Sequence, residues 1–506
     1  MKEDCTLLHR FTTHLWVALL AAYAFMPYST AFGGSNARRP NVVIILADDL
    51  GYADVGFHGC QDIPTPNIDA LANGGVRCTS GYVSCPYCSP TRAGLLTGRY
   101  QQRFGQEFNP GPRGEPGGDS VARIGMPLSE TTIADRLKSA GYATGMVGKW
   151  HLGAAPKFHP QKRGFDEYFG FLGGAHIYLP GLPNIVFPGL QEAPRDDAAA
   201  TDAEKADARR RQPAPIYRGT EVVQEPEYLT DAFAREAVSF IERHQKRPFF
   251  LYLPFNAVHT PMHATDKRLE RFASISDPMR RTYCAMTVAL DEAIGQVLDK
   301  LRSTNLEQDT LIFFCSDNGG PTIRRAALNG SRNAPLRGSK VSTLDGGIRV
   351  PFVVSWKGQL PAGKVYDQPV IQLDILPTAL AAAGVEAKAD WKLDGVNLLP
   401  YLKDEIAGAP HDVLYWRLGQ QMAVRKGDWK LVMYSHEFAG EDSSTPLSPV
   451  RLYNLTRDIG ETDDLASAEP EKAKELKGLW DQWNQSLPEP LWPQPVYMPE
   501  RAAKQQ

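Results

Sequence analysis

The stretch Cys88-Ser89-Pro90-Thr91-Arg92, continued by Ala93-Gly94-Leu95-Leu96-Thr97-Gly98-Arg99, has the highest chemical content in the chain. Pro90 fixes its own φ and biases Ser89 towards extended geometry, and the apolar run behind Arg92 suits the start of a helix. The expected result is a nucleophile-sized side chain at the amide-rich beginning of a helix, where an anion is favoured. Two further pairs, Asp48-Asp49 and Asp317-Asn318, each follow an apolar run. They offer hard oxygen donors of the kind that hold Ca²⁺ or Mg²⁺ and not a thiophilic metal. Lys149 and His151 follow a third run, His259 a fourth, and Lys340 precedes a fifth, Val350 to Ser355. Taken singly, a lysine is usually solvated and a histidine usually packed. Gathered with Arg92, they make a cationic pocket that complements a tetrahedral oxyanion.

The runs that must position these side chains read as strands. Asn41 to Leu46, Leu311 to Cys315, Pro248 to Leu253 and Ala143 to Val147 are continuous and rich in β-branched or aromatic residues, as in strands buried on both faces of a parallel sheet. Between them lie helix patterns. Ser129 to Ala140 sets Ile133 and Leu137 one turn apart, with Gly141 where a C-terminal cap belongs. Asp231 to His244 aligns Phe233, Ala237 and Phe240, and Met279 to Arg302 aligns Met286, Leu290, Val297 and Leu301. This alternation predicts a doubly wound α/β fold, and in such sheets ligands sit at the carboxyl ends of the strands, where all the polar clusters fall.

Two stretches depart from that pattern. Gln191 to Pro215 is rich in Ala, Asp, Glu and Arg and reads as an exposed insertion. Beyond about Val385 short strand-like runs appear at 412–416, 422–425 and 429–434, followed by a helix pattern at 469–483, which predicts a smaller α+β part. Across 506 residues the net charge is −3, with basic residues widely spread, so nothing favours a general nucleic-acid or membrane-surface role. Lys2 and Arg10 precede an apolar stretch from Leu15 to Met26, and Ser29-Thr30-Ala31 supplies small residues for cleavage. The apolar stretch falls short of the roughly 20 residues of a membrane span. A cleaved export signal over 1–31 is expected, with periplasmic or secreted destination and no stable membrane insertion. The expected organisation is 1–31 signal, 32–405 catalytic domain and 406–506 smaller C-terminal domain and tail.

Seven cysteines are too few for a disulfide scaffold in a chain of this length. Cys85-Pro86-Tyr87-Cys88 also reads as a redox or zinc motif. Neither fits: the chain is far larger than a glutaredoxin, and a structural zinc would need a second ligand pair. Cys85 remains a neighbour able to form a disulfide with Cys88 in an oxidising compartment.

Cys88 to Arg92 with Leu96-Thr97-Gly98-Arg99 resembles the signature of the type I, formylglycine-dependent sulfatases, within the alkaline-phosphatase-like superfamily. The resemblance extends over Pro40 to Gly51, Thr65 to Asp69, Gly148 to Gly153, Phe255 to Pro261, Ser316 to Gly319 and Leu336 to Lys340. It implies a large mixed, mostly parallel sheet flanked by helices, with a smaller C-terminal α+β domain on a short antiparallel sheet. It also implies conversion of Cys88 to 3-oxoalanine (formylglycine) by a formylglycine-generating or anaerobic sulfatase-maturating enzyme. By the same resemblance Asp48, Asp49, Asp317, Asn318 and the modified Cys88 would bind Ca²⁺, with Mg²⁺ the weaker fit. Arg92 would steady the aldehyde hydrate, His151 would act as base, Lys149 and Lys340 would hold sulfate oxygens, and His259 would protonate the leaving alcohol, with Lys340 the competing choice.

Two departures from the family pattern stand out. Valine follows Lys340 where many members have glycine, and Asp345-Gly346-Gly347 stands where many have Glu-Gly-Gly. Thr91 occupies a common serine position. The substrate implied is a sulfated carbohydrate, with His176, Tyr178, His263 and the insertion as candidate recognition elements and Trp416 and Arg417 as outlying ones. The alternatives are an aryl or alkyl sulfatase, a phosphate or phosphonate ester hydrolase of the same superfamily, and a sulfated-glycan-binding homologue without activity.

Overall fold

The seven residues Asn41–Ala47 form a strand, β1, in which every side chain is buried. Successive side chains of a strand point to opposite faces, so Val42, Ile44 and Leu46 enter one core and Val43, Ile45 and Ala47 the other. The first core takes in Leu95 and Leu96 of the Cys88–Thr97 helix and Leu376 and Leu380 of the Ile375–Ala382 helix. The second is closed by Phe233 and Phe240 of the Leu229–His244 helix and by Met286, Leu290 and Val297 of the Pro278–Ser303 helix. Each large apolar side chain buried in this way contributes about 1.5–3 kcal/mol. A strand apolar on both faces therefore has to lie between two helical layers.

The computed structural model describes residues 39–110, 124–180 and 215–493. The expected export signal, Cys5 and nearly all of the Gln191 to Pro215 insertion lie outside the described residues. Among the described residues no helix is long and apolar enough to cross a membrane.

Strands are numbered in chain order: β2 (Val76–Cys78), β3 (Gly81–Tyr82), β4 (Ala143–Lys149), β5 (Glu167–Phe171), β6 (Ile216–Arg218), β7 (Glu221–Val223), β8 (Phe249–Pro254) and β9 (Thr310–Ser316). They continue with β10 (Phe352–Ser355), β11 (Lys364–Tyr366), β12 (Val370–Ile371), β13 (Val413–Leu418), β14 (Gln421–Lys426), β15 (Trp429–Met433) and β16 (Arg451–Asn454). The main sheet has ten strands in the order β11-β2-β10-β9-β1-β8-β4-β5-β6-β7. Its centre, β9-β1-β8-β4-β5, is parallel throughout, while β10, β6 and β7 make antiparallel pairings towards the edges. The four strands expected to carry polar clusters are therefore consecutive neighbours, and their carboxyl ends meet on one edge. The short strands β2, β5 to β7 and β11 escaped the sequence reading; three to five residues give too short a period to separate strand from loop.

The helix expected from Ser129 begins later, at Ile133–Ser139, because Thr132 and Asp135 form a capping box across its start. Gly141 follows its end with φ +88°, as a C-terminal cap requires.

β13 to β16 form the short antiparallel sheet expected near the C-terminus. One face packs under the Pro470–Gln485 helix through Met422, Val424, Leu431, Leu452 and Leu476. From the other face Trp416, Ala423, Val432 and Tyr453 join the core beneath the main sheet. Trp416 Nε1 donates to Val83 O at 2.7 Å, just before the Cys88 segment. Arg417 pairs with the buried Glu107 at 2.6 Å. Neither side chain reaches the sheet edge, so the role of Trp416 is in the core.

The same sheet closes a buried ion cluster. Lys430 on β15 lies 2.7 Å from Asp345 and 2.8 Å from Glu461, all three without exposed side-chain surface. Asp345 Oδ2 also accepts from Tyr82 Oη at 2.8 Å, so both carboxylate oxygens of Asp345 are engaged. Burial opposes ionisation of Asp345, but Lys430, Arg349 and Arg425 outweigh it and hold the carboxyl at about 2. Glu461 is pushed up by burial to about 7, with Lys430 opposing. The folded state therefore binds an extra proton between 4.5 and 7, and stability falls as pH rises through that window. Glu461→Gln is expected to flatten this decline in urea midpoints measured across the window. An unchanged slope would place the titration elsewhere.

Candidate active site

Asp48 and Asp49 end β1, Asp317 and Asn318 end β9, Lys149 and His151 end β4, and His259 lies in the loop after β8. Cys88 is the first residue of the Cys88–Thr97 helix, and all ten residues of that helix are buried. Lys340 arrives on the segment before β10 and sits 4 % exposed. All the expected metal and catalytic residues thus converge, although 292 positions separate Asp48 from Lys340 in sequence.

Charge pairing holds the cluster together. Lys149 Nζ donates to Asp48 Oδ2 at 2.6 Å and Lys340 Nζ to Asp49 Oδ2 at 2.8 Å. Arg92 donates to Asp317 Oδ2 through Nε at 3.0 Å and Nη2 at 2.7 Å, and through Nη1 to Lys149 O at 3.1 Å. Its Nη2 is also 3.6 Å from Asp48 Oδ2. Cys88 Sγ lies 3.7 Å from Asp48 Oδ1, and His259 Nε2 lies 3.6 Å from Asp49 Oδ2. Three buried carboxylates therefore face three buried cations, and a divalent cation would leave the pocket net positive, suited to an anionic ester.

Burial pushes the Cys88 thiol up to about 12, although Lys149 and Lys340 pull the other way. At neutral pH it is a thiol and not a ready thiolate. Burial, reinforced by Lys149 and Arg92, holds His151 well below the ordinary histidine range, so the imidazole is neutral. Burial and Lys340 also lower His259, against Asp48 and Asp49. Lys340 is raised despite burial, mainly by Asp49.

The donor set suits a metal ion. Asp48, Asp49, Cys88 and His259 each offer a ligand atom within 4.8 Å of the others. Asn318 Nδ2 donates to Asp49 Oδ1 at 2.7 Å, and Asn318 Oδ1 is a buried acceptor with no hydrogen-bond partner. A buried amide oxygen left unmet on a side chain that touches the Asp49 carboxylate is what a bound cation would satisfy. His259 stands closer to the ligand cluster than a sequence reading as proton donor alone would suggest, and its spacing from Asp49 carries no sequence signal.

Backbone strain marks the same place. Asp49 has φ +64° and His151 φ +60°, left-handed conformations unusual for such residues and typical of functional sites. Gly174 lies so close to His151 that a Cβ there would come within 2.6 Å of Nε2, so only glycine leaves room for the imidazole.

The expected recognition residues are placed less uniformly. His176 is half-buried, with Nδ1 2.7 Å from Ile177 O and its ring tilted against Phe171. Tyr178 is 1 % exposed, and its hydroxyl donates towards Asn256 O at 2.5 Å and His259 O at 2.9 Å. It braces the His259 loop and presents no open edge to a ligand. His263 is 2 % exposed and packs beside Tyr178. Thr91 uses its hydroxyl to bind Cys85 O at 2.6 Å, and Cys85 is a buried free thiol, as are the other described cysteines apart from the half-buried Cys60.

A parallel sheet edge that gathers these carboxylates, cations and a helix-start cysteine defines a class of enzymes that hydrolyse esters of tetrahedral oxyanions. Residues 40–385 match the sulfatase family, and the chain belongs to it. It is 35% identical over 420 residues to N-acetylgalactosamine-6-sulfatase of Canis lupus familiaris, covering 79% of this chain and 73% of that one. It is 33% identical over 481 residues to arylsulfatase A of Homo sapiens, covering 89% and 88%. The crystal structure of Ps i-CgsB in complex with k-i-k-neocarrahexaose superposes with a TM-score of 0.77 at 36% identity, covering 90% of this chain and 95% of that one.

Proposed function

We propose that this sulfatase removes sulfate from a sulfated carbohydrate, R–O–SO₃⁻ plus water giving R–OH, SO₄²⁻ and a proton, through Cys88 matured to formylglycine. The observation that carries this reading is Cys88 Sγ 3.7 Å from Asp48 Oδ1, inside a pocket whose other walls are Arg92, Lys149 and Lys340. Asp48, Asp49, Asp317, Asn318 and the matured Cys88 would hold Ca²⁺, which supplies polarisation of a sulfate oxygen and acidity to the attacking hydroxyl. Matured in this way, position 88 would supply two hydroxyls, one as nucleophile and one to release sulfate, where a thiol or alcohol has only one such group.

The remaining work falls to the chain's own groups. Lys149 and Lys340 bind sulfate oxygens as the charge on them grows. Arg92 orients the residue at position 88 and shields Asp317. His151, neutral in its buried setting, takes the proton that leads to sulfate release, and His259 delivers one to the leaving oxygen. Residues 1–31 would direct export, and a formylglycine-generating or anaerobic maturating enzyme would act on Cys88. A carbohydrate substrate is supported by relatives named for N-acetylgalactosamine-6-sulfate and by a neighbour solved with an oligosaccharide. His176 is the recognition candidate with part of its surface open.

Sulfate release from a panel of sulfated oligosaccharides, beside an aryl sulfate and an aryl phosphate, tests the reading. Turnover of the phosphate alone would make this a phosphate or phosphonate ester hydrolase, and turnover of the aryl sulfate alone would remove the carbohydrate. Chelation with EGTA is expected to lower sulfate release about 100-fold or more, since the carboxylates lose their counter-ion and the sulfate its polarising partner. Ca²⁺ should restore it better than Mg²⁺, and at 100 times its dissociation constant should stabilise the fold by about 2.7 kcal/mol. Full activity after exhaustive chelation would contradict the metal assignment.

A further inference from the structure

We propose that Gln421, at the tip of the β13–β14 hairpin, is a positioning residue that fixes Lys340 in the active site. The inference rests on the reading of Lys340 as a sulfate-binding group.

The segment that delivers Lys340 is a turn, with Ser342 N–H donating to Ser339 O at 2.9 Å and Lys340 N–H to Gly320 O at 3.2 Å. Lys340 is followed by Val341 with φ +74°, a conformation that a β-branched residue adopts only when its surroundings impose it. Glycine would take that conformation freely. Beyond that turn bond, three contacts hold it. Val341 N–H donates to Pro86 O at 2.8 Å, two residues before Cys88. The Val341 side chain, 2 % exposed, packs with Cys85, Tyr87, Leu418 and Phe438. Gln421 Nε2 donates to Val341 O at 2.7 Å.

Gln421 does more than close one bond. Its Oε1 accepts from Thr343 N at 3.3 Å and from Ser435 N at 3.1 Å, so one buried amide ties both sides of the turn after Lys340 to the C-terminal sheet. The hairpin tip is itself anchored, because Gly419 N–H donates to the buried Glu107 at 2.7 Å. A side chain that both donates and accepts is needed at 421, and an amide of glutamine length meets that need. The C-terminal sheet thus holds the Lys340 backbone beside the Cys88 loop, and Lys340 Nζ is left to face Asp49 and the substrate.

The test is a double-mutant cycle on the matured, metal-loaded enzyme, with kcat/KM and the inhibition constant of inorganic sulfate as readouts. Gln421→Met, which keeps volume and removes both hydrogen-bonding ends, is expected to lower kcat/KM and weaken sulfate inhibition by about tenfold each. In a Lys340→Met background the same change should alter kcat/KM by less than about twofold, because the group it positions is gone. Gln421→Glu, which keeps the shape and the acceptor oxygen but replaces the N–H given to Val341, should follow the same pattern and serves if the methionine variant folds poorly. Equal losses in both backgrounds, or wild-type sulfate inhibition in both Gln421 variants, would overturn the proposal. Should Lys340→Met alone leave turnover intact, the fault lies with the sulfate-binding role of Lys340.

Discussion

Cys88→Ala is expected to reduce sulfate release by about 10⁴-fold or more, in line with removal of the nucleophile from other covalent hydrolases. The change should cost little stability, since a small buried side chain is trimmed at the start of a helix whose other contacts persist. Activity and thermal midpoint therefore part company in this variant, which is the mark of a chemical and not a structural loss. Cys88→Ser is the sharper case. An unmatured serine has one oxygen, so it can attack sulfur once but has no second hydroxyl to expel sulfate. At most one equivalent of alcohol per enzyme molecule is expected, with no sustained sulfate release. Steady turnover by an unmodified serine variant would show that the second oxygen is not needed.

Arg92→Met is expected to have the second-largest effect, and on two quantities. The guanidinium sits fully buried between Asp317 and Asp48 and also ties down Lys149 O. Removing it strands carboxylates that burial already penalises; Asp317 is raised by burial and by Asp48 even with Arg92 present. Breaking a buried pair in this way costs about 3–5 kcal/mol of stability. Loss of the group proposed to orient position 88 should lower kcat by about 10²–10³-fold. Arg92→Lys should rescue little, because a single ammonium cannot reproduce three donors in a fixed plane. Urea unfolding and steady-state kinetics on the same preparations give both numbers, and a lysine variant with wild-type values would refute the assigned geometry.

Much of this site is legible in the sequence because strands buried on both faces leave a plain signature. Asn41 to Leu46 and Leu311 to Cys315 stand out as apolar runs, and the polar residues that end them fall at one edge once the strands are parallel neighbours. The positions of Asp48, Asp49, Asp317 and Asn318 follow from that grammar. Contacts made through a side chain from a distant element leave no such trace. Gln421 lies 80 positions from Val341, in a hairpin with no chemical motif, and only its amide geometry reveals the link. Tyr178 looks like a recognition residue by type, yet burial turns it into a brace for the His259 loop. The effect of Asp345 in place of glutamate is equally hidden, because its partners Lys430 and Tyr82 come from separate parts of the fold.

The central claim is that Cys88 acts as a formylglycine. Mass analysis of the Cys88 peptide, on preparations ranked by specific activity in sulfate release, tests it most directly. The account expects the aldehyde in place of the thiol, with the modified fraction rising in proportion to activity and Cys88→Ala showing neither. A fully active preparation whose peptide carries only the free thiol would contradict it.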